Sequence, residues 1–285
     1  MLTQQSFSRL TLSLDIVKRI SGGLLDGYHE LAIVKHEIDL CDTLTIENAP
    51  AIEVECNIAA VPRDRRNLCW QAIELVRSEC AIKQCARVTL QKKIPVMGGL
   101  AGGSSNAAAT LELCNRLWRL GLTRDKLCEL GRKLGMDVPY YFFGNTVLDT
   151  EAGGTIRPVE TNIALDFILV LPSFGVETRE AYARLDYSKL NSHAARTGSM
   201  LDAFVRNDAR GVIKEIHNDF EASVFAEHPR LRTIKQTLLE LGCLNAGMSG
   251  SGSTIFGIAK SRRHAQEIQR RLEFISLVAA SKLAS

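Results

Sequence analysis

The sequence has little that would place it among nucleic-acid-binding or membrane proteins. Its 285 residues carry a formal net charge of only +3 at pH 7, which is too small to indicate a nucleic-acid-binding face. No apolar stretch is long enough to span a membrane, and the N-terminus lacks the charged segment and apolar run of a signal peptide. We therefore predict a cytoplasmic protein that binds neither nucleic acid nor membrane. We expect a monomer or a weak homodimer, although none of these observations determines the oligomeric state.

The sequence also lacks the spacing of a zinc site. No two of its eight cysteines are arranged as CxxC, and no histidines stand at ligand spacing beside them. We therefore predict no metal held by the protein alone. Cys69, Cys114 and Cys128 fall on apolar stripes, which indicates reduced, partly buried thiols.

The composition that is present is that of an ordinary globular protein. Hydrophobic residues make up 46% and charged residues 24%, so the chain can bury a substantial core. Strand-like patterns dominate the first third, and helical and strand-like patterns alternate later. This order predicts an α+β fold with two domains, residues 1–155 and residues 156–285.

Residues 95–109, PVMGGLAGGSSNAAA, form the most informative stretch. Residues 86–94 alternate like a strand, and residues 106–120 have apolar side chains at helical spacing. A strand, a glycine-rich turn and a helix in that order favour a phosphate site, because backbone N–H groups and the helix N-terminus attract anions. The alternative is a flexible loop in which Ser104 or Ser105 caps the helix.

This stretch matches neither of the two common nucleotide motifs. A P-loop needs Lys and then Ser or Thr after its last glycine, but Ser104 and Ser105 follow Gly103. No register supplies the G-x-G-x-x-G of a dinucleotide site. A phosphate cradle here therefore belongs to another class, with serine hydroxyls that add hydrogen bonds or contact Mg²⁺.

Further candidates lie outside the glycine stretch. Asp137, in the turn LGMDVPYY, is a candidate general base for phosphoryl transfer to an alcohol, or a plain helix N-cap. Tyr28 and His29 can stack on and hydrogen-bond a planar heterocycle, or be partly buried turn residues, and Tyr182 has the same two interpretations. A second glycine and serine loop, residues 247–253, either covers a substrate or phosphate group or is a tight turn before a strand.

Together these motifs resemble the GHMP superfamily of small-molecule kinases, named for galactokinase, homoserine kinase, mevalonate kinase and phosphomevalonate kinase. Within it the resemblance is to the family of 4-diphosphocytidyl-2-C-methyl-D-erythritol kinases. It rests on the glycine stretch and on four further segments: DGYHEL at 26–31, LGMDVP at 134–139, NDFE at 218–221 and GMSGSGSTIFG at 247–257.

The resemblance implies a two-lobed GHMP-kinase fold, with an N-terminal ATP-binding lobe and a C-terminal α/β lobe around a central cleft. It implies ATP and Mg²⁺ as cofactors, and phosphorylation of the 2-hydroxyl of a cytidine diphosphate-linked methylerythritol in non-mevalonate isoprenoid biosynthesis. Residues expected at the ATP phosphates are Pro95, Gly98, Gly99, Leu100, Ala101, Gly102, Gly103, Ser104 and Ser105.

The resemblance also implies roles on the substrate side. Asp137 is the expected proton acceptor, Tyr28 and Tyr182 are expected to sandwich the cytosine, and His29 to hydrogen-bond its edge. Gly250 and Ser251 are expected to face the diphosphate or erythritol part.

Two positions depart from the family pattern. Arg9 stands where a catalytic-site lysine is expected, and Thr11 where a substrate-binding asparagine is expected. Arginine keeps the charge but is a planar fork, and threonine offers a hydroxyl in place of an amide. These departures leave two alternatives open: a GHMP-type kinase of another small alcohol, and a weakly catalytic nucleotide-binding homologue.

Overall fold

The computed structural model describes residues 1–23, 26–96, 98–152, 154–185 and 194–282. The chain divides into two compact units: unit 1 comprises Met1–Ser8, Leu40–Val96 and Ala101–Gly144, and unit 2 comprises Arg9–Asp39, Met97–Leu100 and Asn145–Ser285. Two long strands, β1 (Leu2–Arg19) and β2 (His29–Ala49), contribute residues to both units. The predicted boundary between residues 155 and 156 stays a prediction.

Both long strands are longer than the strands that the sequence predicts. The apolar pattern of the sequence predicts a strand only over residues 10–17, and two separate strands, 31–40 and 43–47, in place of β2. The two segments of β2 are continuous because Asp42, a residue that disfavours strands, is buried with its carboxylate fully engaged.

Unit 1 packs three helices against short strands. Its remaining elements are β3 (Glu53–Cys56), α1 (Leu68–Glu79), β4 (Cys85–Gln91), α2 (Gly102–Leu117), α3 (Arg124–Leu134) and a 3-10 helix (Pro139–Phe142). Strand β4 pairs antiparallel with β2 and parallel with β3. The apolar faces of α1 and α2 bury one core over these strands, which includes Ile46, Val88 and Leu111.

Unit 2 contains the other described strands and helices. They are β5 (Thr146–Glu151), β6 (Ile156–Pro158), β7 (Asp166–Val170), α4 (Thr178–Ala183), α5 (Ala194–Val205), α6 (Ala209–Lys214), β8 (His217–Asn218), α7 (Glu221–Glu227), α8 (Pro229–Glu240), β9 (Asn245–Met248), β10 (Ile255–Ala259), α9 (Arg262–Arg271) and β11 (Ser276–Ala280). Four strands form an antiparallel sheet in the order β11-β7-β10-β9. Elsewhere in the unit, β8 pairs with β1, and β5 with β2. The predicted α+β class is confirmed.

One helix prediction in unit 2 was wrong. Apolar residues at helical spacing predict a single helix over residues 200–216, but the stretch belongs to two helices, α5 and α6. Asn207 adopts a left-handed backbone conformation with φ 53°, and the Asp208 side chain accepts the N–H of Gly211 to cap α6. A left-handed residue followed by an N-cap stops one helix and starts the next without disturbing the apolar period.

The cysteines that were expected on apolar stripes are core residues. Cys69, Cys114 and Cys128 are buried free thiols. Burial raises the pKa of Cys69 to about 12 and also raises the pKa values of Cys114 and Cys128. Because the thiolate is the reactive form, these side chains act as small hydrophobic residues.

His36 makes folding sensitive to acid. Its ring is buried in unit 2 between the hydroxyls of Thr146 (2.8 Å) and Ser281 (2.7 Å), and burial lowers its pKa from 6.5 to about 4. Between these pH values the unfolded chain binds the proton and the folded chain does not. The stability that depends on neutral His36 is therefore complete above pH 6.5 and is lost as the pH falls toward 4.

We expect this loss to amount to about 2 kcal/mol between pH 7 and pH 5. Denaturant unfolding followed by circular dichroism at both pH values measures it, for the wild type and for His36→Gln. The wild type should lose about 2 kcal/mol more than the variant over this range. Equal losses in both proteins would contradict the assignment to His36.

Candidate active site

Helix α2 in unit 1 begins inside the glycine-rich stretch. It starts at Gly102, four residues before the predicted start, and its N-cap residue Ala101 has a left-handed backbone with φ 52° and makes no side-chain cap. Ser104 and Ser105 lie within the first turn, so the interpretation of either serine as the helix cap was wrong. An N-terminus without a side-chain cap leaves backbone donors and the positive end of the dipole for an anion.

The two serines of this first turn have different surroundings. The Ser105 hydroxyl is buried, donates to the carbonyl of Phe7 at 2.6 Å and lies 2.5 Å from the Ser6 hydroxyl. Ser104 is half-buried and Gly103 is exposed. Ser105 therefore anchors α2 to β1, whereas Ser104 and Gly103 keep part of their surface accessible at the candidate anion site.

A buried ionic network that the sequence analysis missed lies beside this helix start. The Lys92 ammonium donates to the carboxylate of Asp42 and, at 2.9 Å, to the side-chain oxygen of Asn106. The other Asp42 oxygen accepts the backbone N–H groups of Lys93 (2.7 Å) and Ile94 (2.8 Å). The network fixes the chain as it enters the glycine-rich stretch. Its one sequence signal is a charged residue, Asp42, between two strand-like segments.

Gly102 has no room for a side chain next to this network. A Cβ atom there would lie 2.8 Å from Ile94 Cγ2 and 3.3 Å from Lys92 Nζ. The ammonium group is therefore close to the backbone at the start of α2, with its charge balanced by Asp42. Close approach of backbone to side chain is the physical reason for glycine here.

Asp137 lies in the turn between α3 and the 3-10 helix, where it is half-buried. The N-cap of the 3-10 helix is Val138, without a side-chain cap bond, so the interpretation of Asp137 as a plain N-cap was wrong. Four residues later, the Tyr141 hydroxyl donates to the carbonyl of Ala101 at 3.2 Å. This bond joins the Asp137 segment to the start of α2 within unit 1.

In unit 2, the two glycine loops are interlocked. The carbonyl of Gly99 accepts the hydroxyl of Ser249 at 3.0 Å, and the carbonyl of Gly98 accepts the N–H of Thr254 at 3.3 Å. A Cβ atom on Gly99 would lie 2.5 Å from the Ser249 carbonyl oxygen and 2.7 Å from that of Gly252. Residue 99 therefore fits against the second loop only as glycine.

The two departures from the family pattern are in contact with each other. Arg9 Nη1 donates to the Thr11 hydroxyl and to the Gly99 carbonyl, both at 3.1 Å. The Thr11 N–H donates to the Ser249 hydroxyl at 3.3 Å. A Cβ atom on Gly250 would lie 3.7 Å from Arg9 Nη1. One nitrogen of the guanidinium therefore donates to two acceptors, and a lysine ammonium at this position would have a different geometry.

Arg9 and Thr11 belong to a polar face of β1. Four alternate residues on this face are at most 5% exposed: Arg9, Thr11, Ser13 and Asp15. Thr197 donates to the Ser13 hydroxyl at 2.9 Å, and His217 bonds the Asp15 carboxylate at 2.8 Å. The intervening residues are apolar and equally buried, so both faces of the strand are buried: one face is polar and the other is apolar.

Two of the aromatic candidates, His29 and Tyr182, are in contact with each other in unit 2. The rings of His29 and Tyr182 stack with centroids 4.5 Å apart, and Phe220 meets the Tyr182 ring edge-on at 4.9 Å. Tyr28 is 48% exposed. Burial, and then the charge of Arg19, lower the pKa of His29. The imidazole is therefore neutral at pH 7 and can both donate and accept a hydrogen bond.

The outer part of the second loop faces helix α4, which carries Tyr182. The hydroxyls of Ser251 and Thr178 lie 3.0 Å apart, and Gly250 has a left-handed backbone with φ 60°.

Among the described residues, no three His, Cys, Asp or Glu side chains gather as metal ligands. Within the same part of the chain, every helix is too short or too polar to cross a bilayer.

Two family profiles match the chain. The profile of the GHMP kinases N-terminal domain matches residues 67–145, and that of the GHMP kinases C-terminal region matches residues 200–275. A crystal structure of 4-(cytidine 5'-diphospho)-2C-methyl-D-erythritol kinase has a similar fold. Its TM-score is 0.81 at 24% identity, over 99% of this chain and 100% of that chain. The predicted GHMP-kinase fold is therefore confirmed.

Relatives with the name 4-diphosphocytidyl-2-C-methyl-D-erythritol kinase are similar along nearly the whole chain. The protein of Alkaliphilus metalliredigens (strain QYMF) is 36% identical over 273 residues, which cover 95% of this chain and 92% of that protein. The protein of Bacillus cytotoxicus is 37% identical over 261 residues, which cover 90% of this chain and 88% of that protein.

Proposed function

Because the chain belongs to the family of 4-diphosphocytidyl-2-C-methyl-D-erythritol kinases, we propose that it phosphorylates the 2-hydroxyl of 4-diphosphocytidyl-2-C-methyl-D-erythritol with ATP. This is a phosphotransfer to an alcohol in non-mevalonate isoprenoid biosynthesis. The observation that carries the proposal is identity of 36% along 95% of the chain. We propose roles for residues of the glycine loops and for Asp137, each from its own surroundings.

The reaction requires one bond to form and one to break. The substrate hydroxyl oxygen bonds to the γ-phosphorus of ATP, the bond from that phosphorus to the bridging oxygen breaks, and ADP leaves. The hydroxyl proton passes to the carboxylate of Asp137. Since the transition state of such transfers is largely dissociative, positioning and charge stabilisation matter more than a strong base.

The start of α2 is suited to the ATP phosphates. Its N-cap residue has no capping side chain, Gly103 is exposed and Ser104 is half-buried, which fits a group rich in negative charge. When bound with ATP, Mg²⁺ would neutralise phosphate charge, and the oxygens of Ser104 and Asp137 are the kind it prefers. The predicted phosphate contacts of Pro95 and of residues 98–105 come from the resemblance and stay a proposal.

Arg9 is suited to stabilise the transferred phosphoryl group. Its guanidinium is always charged and is held by Thr11 and Gly99. Gly250 and Ser251, in the loop beside it, are proposed to face the substrate diphosphate or erythritol. Thr11, whose hydroxyl accepts from Arg9, is proposed to contact the substrate through the same oxygen.

The cytosine end of the substrate is assigned to the aromatic group of unit 2. Tyr28 is exposed enough to stack on a base, and neutral His29 can donate to and accept from its edge. Since His29 covers one face of Tyr182, a base stacked there requires the imidazole to turn aside. Cytoplasmic location and a monomeric or weakly dimeric state are part of the proposal.

The test is a substrate comparison. Purified protein with Mg-ATP receives 4-diphosphocytidyl-2-C-methyl-D-erythritol, mevalonate or homoserine, and ADP release is measured together with ³¹P NMR of the product. We expect ADP and a new phosphomonoester only with the cytidyl substrate. Turnover only with another alcohol would establish a different GHMP-type kinase. Saturable ATP binding without any turnover would indicate a weakly catalytic homologue.

A further inference from the structure

The NDFE segment, residues 218–221, has no role in the reaction described so far, yet it contacts the second glycine loop directly. The side-chain nitrogen of Asn218 donates to the carbonyls of Met248 and Gly250, both at 2.8 Å. These carbonyls flank Ser249, whose hydroxyl donates to Gly99. Asn218 is 5% exposed, so no water replaces these bonds easily.

The orientation of the Asn218 amide follows from its three partners. Its oxygen accepts the N–H of Phe220 at 3.0 Å, and its nitrogen faces two carbonyls. The flipped amide would set oxygen against both carbonyls and nitrogen against an N–H group. Both amide hydrogens are therefore spent on the loop, which is the full donor capacity of the group.

The rest of the segment fixes the same loop and its distance from β1. Glu221 accepts the N–H of Met248 at 2.9 Å and binds Lys235 at 2.6 Å. Asp219 accepts the N–H of Ile16 at 2.8 Å and donates its own N–H to the Leu14 carbonyl at 3.0 Å. The segment thus joins the second loop to the strand that carries Arg9 and Thr11.

We propose that Asn218 is a positioning residue for phosphoryl transfer: its amide holds residues 248–250 so that Ser249 and Gly250 stand against Gly99 and Arg9. The proposal rests on the proposed function. Asn218 does not contact the reacting atoms, and it acts through the loop. A small displacement of a positioned group costs about 10²-fold in rate, and the loss of two bonds on one loop is such a displacement.

Asn218→Asp tests this with almost no change in shape. The carboxylate keeps the acceptor for Phe220 and replaces the donor with an oxygen facing two carbonyls. Asn245→Asp is the matched control, because the Asn245 amide also donates to a backbone carbonyl (Ile213, 2.6 Å) and accepts a backbone N–H (Ala246, 2.8 Å). It lies at the other end of β9, away from the loop.

Two readouts separate positioning from general damage. We expect kcat/KM for the cytidyl substrate to fall about 10²-fold in Asn218→Asp and to stay within about threefold in Asn245→Asp. Hydrogen–deuterium exchange should rise in residues 247–254 of the first variant only. Asn218→Ser, which keeps one hydroxyl donor and adds no charge, should show a smaller loss of the same kind and serves if the aspartate variant does not fold.

The outcomes are distinguishable. The proposal would be overturned if the wild type turns over the substrate and both Asn218 variants show near-normal turnover. In that outcome hydrogen–deuterium exchange in residues 247–254 would also be unchanged in both variants. Equal losses in Asn218→Asp and Asn245→Asp would also overturn it, because they would reflect stability alone. If the wild type shows no turnover, the proposed function fails, and loop exchange still decides whether Asn218 holds the loop.

Discussion

Asp137→Asn should lower kcat at least about 10²-fold while the protein stays folded. The amide keeps the size of the side chain and can still accept a hydrogen bond from the substrate hydroxyl, but it cannot take the proton. The loss should therefore appear in kcat, with little change in KM for ATP. Steady-state kinetics with Mg-ATP and the cytidyl substrate measure both.

The matched control for this prediction is Asp125→Asn. Asp125 is an exposed carboxylate in the first turn of α3, in the same unit. Its substitution should leave kcat within about threefold of the wild type, as surface changes usually do. A rate near that of the wild type in Asp137→Asn would mean that another group accepts the proton, and the assignment of Asp137 would be wrong.

Asp42→Ala should have the largest effect on stability. Asp42 is fully buried, its carboxylate binds Lys92 and Asn106, and it accepts two backbone N–H groups. Removal leaves an ammonium group buried without its counter-charge, which typically costs about 3–5 kcal/mol. Both tryptophans, Trp70 and Trp118, lie in unit 1, so denaturant unfolding followed by tryptophan fluorescence reports on this unit.

Two further variants test the cause of that loss. Asp64→Ala removes an exposed carboxylate of the same unit, which pairs with Arg66. This variant should leave the denaturant concentration at the midpoint of unfolding unchanged. Asp42→Ala with Lys92→Met removes both charges and should recover part of the stability. If the double variant is no more stable than Asp42→Ala, the buried charge is not the cause of the loss. Asp42→Asn, which keeps the shape, replaces Asp42→Ala if that variant does not fold.

The features that could be predicted from the sequence are those determined by residues that are close together in the chain. Both ends of α3 follow from the local sequence, because Thr123 caps the N–H of Lys126 three residues later and Gly135 ends the helix. The start of α2 was not, because a helix that begins with two glycines after a left-handed alanine violates local preference. Such a start is stabilised by contacts with residues that are distant in sequence.

The same distinction separates the predicted from the unpredicted parts of the candidate site. The glycine loops, Asp137 and the aromatic residues are visible as motifs or turns. The network around Asp42 joins residues that are 50 and 64 positions apart, and Ser249 meets Gly99 across 150 positions. No periodicity connects such pairs. NDFE was noticed as a matching segment, but its contacts with the second loop became evident only in the fold.

Because both faces of strand β1 are buried between Arg9 and Ile16, the number of residues in this part of the strand is constrained. Side chains alternate faces with a period of two, so the loss or gain of one residue inverts every position beyond the change. Between Arg9 and Ile16 such a shift would turn Arg9, Ser13 and Asp15 toward apolar partners and bring leucines to Gly99, Thr197 and His217. Substitutions along this strand can be accommodated one at a time, but insertions and deletions within it cannot.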